Sequence, residues 1–175
     1  VDEGLQVGDR FAFLAKNCTE MAIMYYAASK VGVVPVPLNY RLADQEWSYI
    51  INDSKAKLII VKGNEYADRI NMIKPELLDV KKYVSIELEE PINDFSDFYN
   101  WISDSSETKP TRNVIEEDDV YQMYTSGTTG HPKGAILLQR NVAANIRQYL
   151  DRLTLPNPSR TLLVAPMYHA AAMIN

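Results

Sequence analysis

Within ten residues, 125–134, the chain carries four hydroxyls, three glycines and one lysine. The hydroxyls are Thr125, Ser126, Thr128 and Thr129; the glycines are Gly127, Gly130 and Gly134; Lys133 stands just before the last glycine. Three of the chain's seven glycines fall here, more than a plain turn needs. Each costs roughly 0.5–1 kcal/mol relative to alanine in regular structure. Glycines at this density let consecutive backbone N–H groups line a concavity, and such concavities bind anions. Lys133 adds a mobile positive charge, worth roughly 4 kcal/mol at about 4 Å from a phosphate in a partly screened cleft. Hydroxyls, bare N–H groups and one lysine suit a polyphosphate. A metal would require a cluster of His, Cys or acidic side chains, which this segment lacks.

Two common phosphate-binding templates do not fit. The P-loop needs Gly, four residues, then Gly-Lys-Ser/Thr at the start of a helix; here Lys133 lies between Pro132 and Gly134, and a strand pattern follows. The dinucleotide fingerprint G-x-G-x-x-G does not occur. A simple hairpin loop between strands at 120–125 and 134–138 would account for the glycines and Pro132. It would leave the hydroxyls and the lysine unexplained.

The elements that must position this loop follow an alternating pattern. Strands are expected at 10–15, 33–37, 57–61, 82–86, 120–125, 134–138 and 161–165. Asn17 or Thr19 caps a first helix that runs to about Lys30 and stops at Gly32, with Met21, Tyr25, Ala28 and Val31 as its core stripe. Asp44 opens a second helix, with Trp47, Ile50 and Ile51 on one face. Tyr66, Ile70 and Ile73 mark a third, which Pro75 ends. Residues 87–118 read as a connecting stretch with a short helix near 95–102. Val142, Ile146, Tyr149 and Leu150 share a face of a last helix. The prolines in 33–37 argue against a central strand there. Strands alternating with helices give an α/β fold, a mostly parallel sheet flanked by helices. Ligands of such sheets sit at the carboxyl ends of the strands, and the loop at 124–134 follows a strand.

Composition excludes other classes. The chain has 175 residues, 46% of them apolar and 23% charged, with a net charge of −5. That is an ordinary globular domain, and no basic face is available for nucleic acid. The acidic runs at 87–90 and 116–119 read as solvated loops. No apolar run reaches the roughly 18 residues of a membrane span. Cys18 is the only cysteine, so no internal disulfide forms; this is consistent with a reducing, cytoplasmic setting. In its sequence context Cys18 reads as a buried or inert thiol. His169, in the apolar stretch 165–173, reads as structural from its neighbours alone. Tyr25, Tyr26 and Trp47 are not taken as adenine-stacking residues.

The segment Tyr124-Thr-Ser-Gly-Thr-Thr-Gly-His-Pro-Lys-Gly-Ala135 resembles the phosphate-loop signature of the adenylate-forming superfamily: acyl-CoA synthetases, peptide-synthetase adenylation domains and firefly luciferase. The resemblance extends to Gly8-Asp9-Arg10, Lys16-Asn17, the run GVVPVPLNYR at 32–41, the paired acids Asp118-Asp119, and Pro166-Met167-Tyr168-His169, and so covers nearly the whole chain. It reads closer to acyl-CoA synthetases than to peptide-synthetase domains. One departure is Gln139, where many members have histidine.

The resemblance implies an ATP-dependent, AMP-forming carboxylate–CoA ligase, with ATP, Mg2+ and coenzyme A as cofactor and co-substrates and a small carboxylic acid as partner. It implies that Thr125, Ser126, Gly127, Thr128, Thr129, Gly130 and Lys133 bind phosphate. Lys133 would also offset developing charge, and His169 would line the region between carboxylate and nucleotide. Tyr168 and Met167 are candidates for the acyl pocket or the core. His131 falls at a variable position without an assigned role. By the same resemblance, residues 1–175 correspond to part of the large N-terminal AMP-binding domain, one αβα subdomain. The adenine motif, ribose-binding aspartate, hinge and C-terminal lysine of the family are expected further along, so the piece alone is not expected to be a competent enzyme. The rival readings are a non-catalytic nucleotide-binding module and a segment with no ligand affinity.

Overall fold

A computed structural model describes residues 4–125, 130–153, 160 and 162–173. Its centre is a five-stranded, wholly parallel sheet in the order β2-β1-β3-β4-β5. The strands are β1 (Arg10–Leu14), β2 (Val34–Leu38), β3 (Ala56–Lys62), β4 (Lys82–Ile86) and β5 (Phe95–Asp97). The helices between them are α1 (Thr19–Val31), α2 (Asp44–Asp53) and α3 (Asn64–Ile73), and α4 (Phe98–Ser103) follows β5.

Period-two alternation on the central strands separates two cores. Phe11, Phe13, Leu58 and Ile60 pack with Met21, Tyr25 and Ala28 of α1 and Phe98 of α4. Ala12, Leu14, Ile59 and Val61 point the other way, into Trp47, Ile50 and Ile51 of α2 and Tyr66, Ala67 and Ile70 of α3. Successive strand residues face opposite sides. Unbroken apolar runs such as Leu58–Val61 therefore demand helices on both faces.

Most expected elements are present. β2 is an edge strand of the parallel sheet, where Pro35 and Pro37, opposite Phe11 and Phe13, withhold no needed donor. Three expectations are corrected. The N-cap of α1 is Cys18, with no side-chain cap; Asn17 is engaged elsewhere, donating to Ala165 O at 2.9 Å and accepting from Met167 N at 2.7 Å. Within the stretch 87–118, Phe95–Asp97 forms a short strand that three residues of sequence could not announce. No strand forms over the described part of 161–165. A strand needs a ladder partner, and none lies alongside among the described residues; Leu162 and Val164 are 86% and 79% exposed.

Two further strands, β6 (Asp119–Thr125) and β7 (Lys133–Leu138), pair antiparallel in a separate two-stranded sheet. β6 runs beside β2. It adds Val120, Tyr121 and Met123 to the core on the α1 side. α5 (Gln139–Leu150) follows directly and α6 (Ala170–Met173) closes the chain's last described stretch. Of the apolar face expected on α5, Val142 packs against the core, while Ile146, Tyr149 and Leu150 are exposed.

At the carboxyl edge the chain reverses its winding: β1 leads to β2 on one side, and β2 then leads to β3 on the other. That switch point opens a cleft of about 500 Å3 lined by Lys16–Cys18, Lys62–Tyr66, Glu87 and Glu89. Its floor is an ion-pair network. Lys62 reaches both oxygens of Glu20 at 3.1 Å and Glu87 at 2.8 Å, and Tyr99 of α4 donates to Glu20 at 2.7 Å. Burial alone would raise the Glu20 carboxyl; the bonds from Tyr99, its own backbone and Lys62 outweigh it and hold the group at about 2.

A carboxylate depressed from 4.5 to about 2 stabilises the fold fully above its unfolded value and loses that effect as pH falls through the folded one. Glu20→Gln is therefore expected to destabilise the protein by about 2 kcal/mol at pH 7. The difference from wild type should shrink as pH falls from 4.5 towards 2, as denaturant unfolding across that range would measure. A pH-independent difference would mean that the charge of Glu20 contributes nothing.

Candidate functional site: a glycine-rich loop at the tip of a hairpin

The loop singled out in the sequence joins β6 to β7. The hairpin register pairs Tyr124 with Gly134 and Thr125 with Lys133, so the loop closes with Thr125 and Lys133 facing each other at its mouth. Both are exposed. The Lys133 ammonium has no ion-pair or hydrogen-bond partner among the described residues. Ser126, Gly127, Thr128 and Thr129 lie outside the described residues. Gly130 has φ of 144°, a backbone that a side chain rarely adopts.

A buried polar chain fixes the root of the hairpin. Gln122 is 6% exposed and fully partnered: its carbonyl accepts from Arg10 Nε at 3.1 Å, and its amide donates to the Tyr124 hydroxyl at 2.9 Å. Arg10 also binds Asp119 at 2.7 Å and donates to Gly8 O. The Tyr124 hydroxyl in turn donates to Asp53 Oδ2 at 2.5 Å. Burial, and then the neighbouring Asp53 carboxylate, push the Tyr124 pKa well up, so the hydroxyl keeps its proton and the bond. On the far side of the loop, His131 stacks on Tyr49, with centroids 4.6 Å apart and planes 19° apart. Asp118 and Asp119, expected as paired acids, have separate structural tasks: Asp119 holds Arg10, and Asp118 accepts from Ile115 N at 2.9 Å.

This places the loop differently from expectation. It does not sit at the carboxyl edge of the parallel sheet. Its strand pairs antiparallel, and its root is tied through Asp53 to the end of α2 that leads into β3, the amino edge. The expected rule applies to strands within a parallel sheet, and β6 is not one of them.

His169 lies on another segment. Met167 is buried and holds that segment against α1: Tyr25 donates to Met167 O at 3.2 Å, and Asn17 bonds its N–H. Tyr168 packs edge-on against Tyr40 at 5.4 Å. His169 itself is exposed, and its Nδ1 accepts from Ala171 N at 3.2 Å. No hydrogen bond, ion pair or ring contact joins His169 to Thr125, His131 or Lys133 among the described residues. Gln139 accepts from Ser29 Oγ at 3.2 Å and so joins α5 to the last turn of α1. Sequence reasoning missed Arg10, Asp53 and Tyr49 as partners of the loop. A glutamine alternating with apolar residues on β6 was the one local sign of a buried polar chain.

The family model described as AMP-binding enzyme matches residues 1–175. The chain belongs to this AMP-binding enzyme family. A long-chain-fatty-acid–CoA ligase, FadD13, of Mycobacterium tuberculosis is 32% identical over 179 residues, covering 97% of this chain and 32% of that protein. Among solved structures, the anthranilate CoA ligase AuaEII in complex with anthranoyl-AMP superimposes with a TM-score of 0.88 at 26% identity, covering 95% of this chain and 32% of that one. ATP-bound MatB of Rhodopseudomonas palustris gives 0.80 at 28% identity, over 99% and 33%. The chain thus spans about a third of the length of the AMP-binding enzymes it matches.

Gly134 tests the geometry of the root. A Cβ there would lie 2.6 Å from Gln122 Nε2 and 2.9 Å from Tyr124 Cζ. Gln122 cannot yield without breaking its bonds to Arg10 and Tyr124. Gly134→Ala is expected to cost about 1–3 kcal/mol of stability, measured by denaturant unfolding. An unchanged midpoint would show that the chain of bonds is slack.

Proposed function

We propose that this chain is the N-terminal part of an ATP-dependent, AMP-forming carboxylate–CoA ligase, that residues 1–175 form one αβα portion of its AMP-binding domain, and that the hairpin loop holds the β- and γ-phosphates of ATP. The observation that carries the reading is the mouth of the loop. A lysine with no partner among the described residues faces a threonine at the two ends of a glycine-rich loop, in a chain of the AMP-binding enzyme family.

A carboxylate is a poor acyl donor because oxide would have to leave. In the proposed reaction a carboxylate oxygen attacks the α-phosphorus of ATP. The bond from that phosphorus to the bridging oxygen breaks, and pyrophosphate departs with the electron pair. The thiol of coenzyme A, losing its proton, then attacks the acyl carbon, and AMP leaves. The chain's own residues contribute position and charge. Thr125, Ser126, Gly127, Thr128, Thr129 and Gly130 present hydroxyls and N–H groups to the phosphate oxygens. Lys133 offsets the negative charge that builds on pyrophosphate. His169 is assigned to the region between carboxylate and nucleotide by family likeness alone.

Magnesium is assigned to the bound nucleotide. No group of three His, Cys, Asp or Glu side chains that could hold a metal exists among the described residues, so no step here runs through it. The substrate class is a small carboxylic acid, in keeping with the fatty-acid and anthranilate ligases among the relatives. The reading assigns the reaction to the cytoplasm, in keeping with a single cysteine and no internal disulfide. No described helix is long and apolar enough to cross a membrane.

The test is carboxylate-dependent exchange of labelled pyrophosphate into ATP by the full-length protein, across fatty, aromatic and amino acids. Exchange should be switched on by one acid class. Lys133→Ala should slow it by roughly 100-fold and Thr128→Ala by about 10-fold. A protein that binds ATP yet exchanges with no acid would be a non-catalytic nucleotide-binding module instead.

A further inference from the structure

The segment that carries His169 has no strand alongside it among the described residues, yet its backbone is gripped from the parallel sheet. The Asn17 side chain donates to Ala165 O at 2.9 Å and accepts from Met167 N at 2.7 Å. Pro166, between them, has no N–H to offer. A carbonyl bonded at one residue and an N–H bonded two residues later is what a peptide group of an adjacent parallel strand would engage. One side-chain amide stands in for that peptide group. Tyr25 of α1 adds a third hold by donating to Met167 O at 3.2 Å, and the Met167 side chain is buried in the α1-side core.

Beyond the clamp the chain turns. His169 N donates to Pro166 O at 2.9 Å, closing a β-turn over 166–169. Tyr168, within the turn, packs edge-on against Tyr40 at 5.4 Å. Asn17 follows the last residue of β1 by three positions, and Tyr40 follows the last of β2 by two. These strands are parallel neighbours, so the turn bridges their carboxyl ends. His169, its final residue, is exposed. Its Nδ1 accepts from Ala171 N at 3.2 Å. A ring nitrogen that accepts carries no proton, so the neutral imidazole bears its proton on Nε2. That N–H has no partner among the described residues and is a donor for an oxygen anion.

Asn17 is itself exposed. Water would satisfy its amide equally well, so burial does not force these two bonds. Their effect falls on the turn. We propose that Asn17 is a positioning residue for His169: its amide holds the 165–167 backbone so that the Nε2–H of His169 is presented to the reacting carboxylate. The proposal rests on the assignment of His169 to the region between carboxylate and nucleotide.

The experiment uses the full-length protein. Carboxylate-dependent pyrophosphate exchange is measured for Asn17→Ala, Asn17→Asp, His169→Ala and the double variant Asn17→Ala/His169→Ala. Hydrogen exchange of the peptide 162–173 is followed by mass spectrometry. Asn17→Ala should lower kcat/KM for the acid about 10-fold, within the range that misplacement costs, and leave the KM for ATP unchanged. Asn17→Asp, almost identical in size, cannot donate to Ala165 O and should lose about as much. His169→Ala should lose more, and the double variant no more than His169→Ala alone, because Asn17 acts through His169. Exchange within 162–173 should quicken in Asn17→Ala. Its core stays intact, because Asn17 is exposed.

Unchanged turnover of the acid in Asn17→Ala would overturn the positioning role, even if the melting temperature falls. So would unchanged hydrogen exchange, an equal loss in the KM for ATP, or a full further loss when Asn17→Ala is added to His169→Ala. Wild-type turnover in His169→Ala, from a protein that Lys133→Ala still slows, would remove the role of His169 and that of Asn17 with it, and leave the phosphate loop standing. A wild type that exchanges with no acid would remove the ligase reading and the positioning role together.

Discussion

Both faces of β1 and β3 are apolar, and neither can be left to water. Phe11, Phe13, Leu58 and Ile60 need one layer of helices, Ala12, Leu14, Ile59 and Val61 another. Once α1 and α4 fill one face and α2 and α3 the other, the hairpin has only the β2 side of the sheet on which to settle. It does so with Val120, Tyr121 and Met123 turned into the α1-side core. Those contacts are non-directional and would tolerate a slip along the strand. The buried Gln122 would not, because a register shift would strand its amide without partners. Arg10 of β1 satisfies its carbonyl in one register of β6 against the sheet, and the pairing of β6 with β7 sets Thr125 opposite Lys133.

The two ends of the sheet have different electrostatic characters. At the carboxyl edge, the cleft's central cation, Lys62, is already neutralised by Glu20 and Glu87. Burial disfavours its charge, but Glu87 and Glu20 raise its pKa above the ordinary 10.5. An arriving anion would have to compete with two carboxylates. At the loop, Lys133 meets no such competition among the described residues. The general rule that parallel sheets bind ligands at their carboxyl ends points to a cleft here, whereas the proposed phosphate site is the loop, elsewhere in the fold.

Much of this was legible in the sequence because it is encoded locally. Apolar runs and period-four faces mark β1, β3, β4 and helices α1 to α3 within a residue or two, and the loop's glycines, hydroxyls and lysine are contiguous. What was not legible depends on residues far apart. Tyr124 and Asp53 are separated by 71 positions, Arg10 and Gln122 by 112, and nothing near any one of them names its partner. β5 is too short to show a period. The stretch 161–165 has strand-like composition, yet composition cannot supply a ladder partner. The placement of the loop at the sheet's carboxyl edge failed for a related reason: sequence gives the strand before the loop but not the direction of its neighbour.

The order of the elements along the chain has a consequence for biosynthesis. All five parallel strands and the whole of α2 lie before Ser103, whereas the hairpin strands begin at Asp119. A ribosome delivers the amino-terminal part first, and folding units form as they emerge. The sheet, with Tyr49 and Asp53 already presented on its flank, can therefore exist while the hairpin is still being made. The hairpin would then dock on strands that precede it in the chain, and its Val120, Tyr121 and Met123 would complete the α1-side core.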